Sequence, residues 1–147
     1  MELFTNIAGK TGKRIMNRLT SEKTVLFVCD VQERFRPLIY RAETTINRTV
    51  LMHSASKLLG IPCLATEQYP KAFGPTVPDL QLDKPAFTKT KFSMMTPEVK
   101  CAFDEIKRPQ VLMCGIEAHV CVLQTVLDLL EAGVDVHVVC DAVSSQR

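Results

Sequence analysis

Along the chain, short apolar runs alternate with stretches of helical periodicity. Residues 24–29 form a β-rich run that stops at Asp30. From about Glu43 to Leu59, Ile46, Val50, Leu51, Ala55, Leu58 and Leu59 recur near one face at helical spacing, and Gly60 follows as a C-terminal cap. Residues 61–66 read as the next strand. Pro70, Gly74, Pro75 and Pro78 then mark a long loop, followed by a short extended piece around Ala86–Thr88. Thr96 as N-cap and Pro97 at the first helical position open a helix whose apolar stripe is Val99, Phe103 and Ile106. Val111–Cys114 is a third clear strand, ending at Gly115. The segment from about Ala118 to Ala132 is apolar around most of its circumference, which predicts a deeply buried helix, and Val134–Cys140 is the last strand.

This alternation predicts an α/β fold, a mostly parallel sheet with helices packed on both faces. At 147 residues, 46% hydrophobic and 23% charged, the chain has the composition of a single globular domain. No run approaches the ~18 uninterrupted apolar residues of a membrane span, so no membrane partner is expected. Charge divides the chain unevenly. Residues 1–23 carry a net +3 and read as a basic N-terminal extension, while residues 24–147 carry a net −1 and form the folded domain. A nearly neutral body has no electrostatic footprint for nucleic acid. The extension reads as solvated, with mitochondrial targeting as the alternative. No signal-peptide apolar region precedes Thr24, so a reducing, cytoplasmic setting is expected.

Of six cysteines, Cys29, Cys63, Cys114 and Cys140 sit in or at the end of apolar runs, where free cysteine behaves as a small buried hydrophobe. There is no C-x-x-C and no zinc-type Cys/His spacing. Cys121 differs, because it falls in the first turn of a predicted helix. There, unpaired backbone N–H groups and the positive end of the dipole favour a thiolate.

Ligands of open α/β sheets bind beyond the carboxyl ends of the strands. The residues delivered there are Asp30 and Gln32, then Glu67, Gln68 and Tyr69, then Lys89 and Lys91, and finally Cys121. A lysine ammonium near Cys121 would reinforce the thiolate, Asp30 would take the thiol proton, and the N–H groups of Val120 and Cys121 are candidate oxyanion donors. The competing reading makes Cys121 a packing residue and Asp30 a cap of the following turn. His119 lies two residues before Cys121, so their side chains diverge on a helix. His53 and His137 read as ordinary helix and strand residues.

At these positions the sequence resembles the isochorismatase-like cysteine hydrolases. The matching stretches are Cys-Asp-Val-Gln-Glu-Arg-Phe-Arg at 29–36, Thr-Glu-Gln-Tyr-Pro-Lys at 66–71 with Gly74, Thr76 and Val77, Lys-Thr-Lys-Phe-Ser-Met at 89–94, and Gly-Ile-Glu-Ala-His-Val-Cys at 115–121. Asp141, Ser144 and Ser145 fit the stretch after the next strand. The resemblance implies a three-layer αβα sandwich with a Rossmann-like sheet and a catalytic Asp30–Lys89–Cys121 triad. Lys89 is preferred to Lys91 because the family lysine lies four residues before a serine, here Ser93. A cis peptide is implied at Ile116–Glu117, beside the oxyanion donors. Gln32, Phe35 and Tyr69 would shape the substrate pocket, or serve packing, and Met94 and Met95 would be wall residues.

Related nicotinamidases place Asp and His metal ligands in the loop that here holds Glu67, Gln68 and Tyr69. No histidine occurs there, so no metal or other cofactor is expected. The implied activity is hydrolysis of a small carbonyl or amide-type metabolite through a covalent cysteine intermediate. The alternative is a non-catalytic interaction or scaffold protein on the same fold. A homo-oligomer, dimer or tetramer, is expected. The family pattern continues past Ser145 with an arginine-containing helix and a last strand, so this chain is expected to lack both and to leave a strand edge uncovered.

Overall fold

Five strands and four α-helices alternate along residues 18–146, the part of the chain that the computed structural model describes; residues 1–17, most of the basic extension, and Arg147 lie outside it. The strands are β1 (Thr24–Cys29), β2 (Cys63–Gln68), β3 (Phe87–Lys89), β4 (Gln110–Ile116) and β5 (Asp135–Ser144). They form one sheet in the order β3-β2-β1-β4-β5, with every pairing parallel. The helices are α1 (Ala42–Leu58), α2 (Pro70–Phe73), α3 (Pro97–Ile106) and α4 (Leu123–Glu131).

β1 is the central strand and is buried along its whole length. Its two-residue alternation divides the core. Val25, Phe27 and Cys29 face the layer of α3 and α4, where they pack with Val99, Phe103, Val122 and Leu129. The Phe27 ring meets Phe103 edge-on at 5.4 Å. Leu26 and Val28 face the opposite layer and pack with Ile46 of α1, Val77 and Leu80. Both faces of the sheet are therefore covered, which is why its strands read as continuous apolar runs. The α/β sandwich expected from the pattern is the fold observed.

Three elements depart from expectation. In α1 the buried face is not the leucine stripe: Thr45, Ile46, Thr49, His53 and Ser56 are buried, whereas Leu51, Leu58 and Leu59 are 54%, 89% and 60% exposed. The buried hydroxyls bond within the helix, Thr49 Oγ1 to the Thr45 carbonyl at 2.8 Å and Ser56 Oγ to the His53 carbonyl at 2.7 Å. They are thus buried without an unpaired donor.

The apolar stretch after Glu117 divides into one π-helical turn, Ala118–Val122, and α4. Only one face of α4 meets the sheet; Thr125 and Leu129 are buried there, while Leu123, Leu127 and Leu130 are 43–50% exposed. An apolar circumference did not mean burial all round. Finally, β5 runs on to Ser144, with a register shift opposite Met113–Gly115. As an edge strand it leaves Cys140 exposed, and Cys63 at the start of β2 is half-buried; neither is the fully buried thiol expected.

The Thr96 cap forms as read, its hydroxyl accepting from Val99 N–H. β4 presses hardest on β1 at Gly115, which has φ +119°, and a Cβ there would lie 2.1 Å from the Cys29 carbonyl oxygen. Gly115→Ala should therefore cost about 3 kcal/mol or more. Urea unfolding would read this as a lower midpoint, and an unchanged midpoint would contradict the close approach.

Candidate active site

The strand order reverses between β1 and β4, so the crevice beyond their carboxyl ends is the topological switch point. Asp30 follows β1 directly in a left-handed conformation, φ +50°. Cys121 follows β4 within the π-helical turn. Lys89 is the last residue of β3, two strands from β1, and its long side chain reaches across β2.

Asp30 and Lys89 meet in a buried ion pair, Nζ to Oδ2 2.6 Å, with side chains 1% and 0% exposed. The remaining bonds of each group are filled. Thr66 Oγ1 donates to Asp30 Oδ1 at 2.8 Å. Lys89 Nζ also donates to Gln68 Oε1 at 2.6 Å and to the carbonyls of Phe92 and Lys91 at 2.9 and 3.1 Å. Sheet register produces this shell. Thr66 pairs with Cys29, the neighbour of Asp30, and Gln68 pairs with Lys89. A buried pair is tolerated only when such extra hydrogen bonds complete it.

Cys121 lies beside this pair, only 8% exposed. Its carbonyl accepts from Thr125 Oγ1 at 2.6 Å, and that hydroxyl accepts in turn from Met94 N–H at 2.9 Å, which fixes the turn. The thiol is held below the usual cysteine range. A hydrogen bond from the Cys29 thiol is the main cause and the Lys89 ammonium acts in the same direction, against burial and the Asp30 carboxylate. Cys29 itself is pushed well up by burial. Acid, amine and thiol form one electrostatic unit.

The other expected residues fall into two groups. The Ile116–Glu117 peptide is cis, as the resemblance implies. Val120 N–H donates to the Glu117 carbonyl at 3.1 Å, so of the two amides expected to face an oxyanion it is already committed. Gln32 is 1% exposed and, with Phe35, lines a small cavity beside Ile116. Its amide bonds the main chain, Nε2 to the Gly74 and Gln68 carbonyls at 2.6 and 3.0 Å and Oε1 from Gln68 N–H at 2.7 Å. Phe35 is buried and stacks on Phe73 at 4.6 Å. Tyr69 is 49% exposed and lines a cleft of about 510 Å³ beside Lys89, with Lys71, Thr90 and Lys91.

A larger groove, about 760 Å³, lies against Pro62–Ala65 at the start of β2, and Asp30, Lys89 and Cys121 do not line it. His119 is exposed, its Nδ1 2.8 Å from Ser145 Oγ. Glu67 Oε1 accepts from Thr76 N–H and Oγ1, both at 2.7 Å. Among the described residues no group of three or more His, Cys, Asp or Glu could hold a metal ion, and no helix is long and apolar enough to cross a membrane.

Sequence reasoning gave Thr66 and Cys29 no role at the site, and placed Gln68 at the rim without a partner. Register is the signal that finds Thr66 and Gln68, and strand alternation is the one that finds Cys29. None follows from a motif alone.

Parallel sheet and helical layers on both faces define a Rossmann-like αβα sandwich, with a polar cluster at the switch point. The chain belongs to the isochorismatase family, whose Isochorismatase domain matches residues 24–147. It is 46% identical over 134 residues to isochorismatase domain-containing protein 2 of Danio rerio, covering 89% of this chain and 68% of that protein. It is 50% identical over 138 residues to the secreted isochorismatase effector Isc1 of Phytophthora sojae, covering 88% of this chain and 66% of that one. This chain thus spans about two thirds of the length of these relatives. Among solved structures, the MAR1 ribonuclease of Caenorhabditis elegans matches with a TM-score of 0.85 and 46% identity, over 89% of this chain and 69% of that one.

Lys89→Met should strand the Asp30 carboxylate in the core and cost about 3–5 kcal/mol of stability, with much of the loss recovered in the Asp30→Asn, Lys89→Met double variant. A urea-unfolding double-mutant cycle measures both. A loss as small as the ~1 kcal/mol of a surface pair would contradict the buried pairing.

Proposed function

We propose that the chain hydrolyses a small carbonyl or amide-type compound through a covalent intermediate on Cys121. The supporting observation is the sealed Asp30–Lys89 pair lying beside a thiol held below its usual range. Asp30 accepts the Cys121 proton as the sulfur attacks the substrate carbonyl carbon. The Cys121 N–H faces the oxygen on which charge develops. Collapse of the tetrahedral adduct breaks the bond to the leaving amine or alkoxide, which takes the proton from Asp30 and leaves a thioester. Asp30 then takes a proton from water, whose oxygen attacks the thioester, and Cys121 departs with that proton restored. Lys89 holds the Asp30 carboxyl in place through their 2.6 Å contact.

The Caenorhabditis elegans relative bears the name of a ribonuclease. For this chain the net −1 of residues 24–147 and the narrow access to Cys121 favour a small substrate over a polyanion. The competing reading is a non-catalytic binding protein on the same fold.

A panel of small amides and esters, with single-stranded RNA as a further arm, separates the three. Cys121→Ala and Cys121→Ser should fold normally, lose turnover by at least ~10³-fold and form no acyl adduct by intact mass. For the parent protein, alkylation of Cys121 by iodoacetamide should slow as pH drops through the lowered thiol pKa, because the thiolate is protonated there, and level off above it. Full activity in Cys121→Ala would end the covalent scheme. RNA cleavage lost in that variant, with no small-substrate turnover, would move the assignment to RNA.

A further inference from the structure

Cys29 is a buried nucleophilic group to which the scheme above gives no part. β1 alternation sends its side chain into the α3–α4 layer, the layer that holds Cys121, and the residue is 0% exposed. Gly115 pins its backbone from the other side, where even a Cβ would be 2.1 Å from the Cys29 carbonyl oxygen. The thiol has two polar neighbours. Its Sγ is 3.5 Å from Asp30 Oδ2, and Cys121 packs in the same buried cluster. The one S–H proton of Cys29 thus lies in the cluster that holds both the base and the nucleophile.

Resting on the triad reading above, we propose that Cys29 is a positioning residue whose thiol proton follows the negative charge between Asp30 and Cys121. In the resting protein, with Asp30 ionised, the Cys29 S–H points to Oδ2. When Asp30 takes the Cys121 proton, charge leaves the carboxylate and settles on sulfur, and rotation about the Cys29 Cβ–Sγ bond turns the S–H to the Cys121 thiolate. No bond to carbon forms or breaks, and Cys29 keeps its proton throughout. Burial suits the task. A thiol pushed well above its usual pKa by desolvation stays protonated wherever Cys121 is ionised, so it remains a donor. Lys89 cannot substitute, because its Nζ is already spent on Asp30, Gln68 and two carbonyls.

The test is the pH profile of Cys121 alkylation by iodoacetamide, read by peptide mass mapping in a Cys101→Ser, Cys140→Ser background that removes the exposed thiols. Cys29→Ala removes the donor, Cys29→Val removes it while filling the site if alanine destabilises the core, and Cys29→Ser retains a donor. The two apolar variants, folded by circular dichroism, should shift the alkylation midpoint to higher pH and slow reaction at pH 7 by about tenfold, the equivalent of one pH unit. Cys29→Ser should stay within about twofold of the parent. Folded apolar variants with the parent's midpoint and rate would overturn the role of Cys29 alone. A parent protein whose Cys121 reacts no faster than a free thiol would overturn the triad reading, and the role of Cys29 with it.

Discussion

A carboxylate and an ammonium sealed from water at one edge of a parallel sheet constrain everything near them. The 2.6 Å contact of Asp30 with Lys89 spans three strands, so it exists only if β3, β2 and β1 keep their register. Each group must also find its remaining partners inside the protein. Thr66 and Gln68 on β2, with the carbonyls of the turn after β3, supply them. The ion pair is thus less a source of stability than a demand placed on the fold. In meeting that demand, the fold leaves a polar, pre-oriented spot at the carboxyl end of the sheet. Cys121 is the group set beside it.

The motif residues divide between the buried ion pair and the loops around it. In the first stretch Asp30 pairs with Lys89, whereas Gln32, Arg34 and Arg36 hold the surrounding loops. Gln32 staples the chain at Gln68 and Gly74, and Arg34 donates to the Ala72 carbonyl. Arg36 bridges Glu43 at 2.7 Å, Asp79 at 3.0 Å and Glu33 at 3.1 Å. These contacts join the start of α1 to the segment after β2, both of which flank the site. A change at any of them would act on the position of the walls rather than on the reacting atoms.

Much of this was legible in the residues. The β1 run, the Thr96–Pro97 helix start and the strand ending at Gly115 carry strong local signals, and the switch-point rule put an acid, a lysine and Cys121 on one rim. The buried face of α1 was not legible, because Thr45, Thr49 and Ser56 look polar in sequence and become buriable only through hydrogen bonds to their own helix. The exposed leucines of α4 were misread for the converse reason, since composition does not record that an outer-layer helix has one packed face. That Gln32 would bond the main chain at Gln68 and Gly74, and that Phe35 would stack on Phe73, was not legible, because both depend on long-range contacts. Cys29 was read only as a small hydrophobe, and its nearness to Cys121 needed the three-dimensional layer assignment.

The central claim is that acid, amine and thiol act as one unit. It is tested most directly by ultraviolet titration of the thiolate, taken as the difference between the parent protein and Cys121→Ser. The account predicts that the Cys121 signal appears with a midpoint clearly below the ~8.5 of free cysteine. A midpoint at or above that value would contradict it, and would leave Cys121 a packing residue of the αβα core.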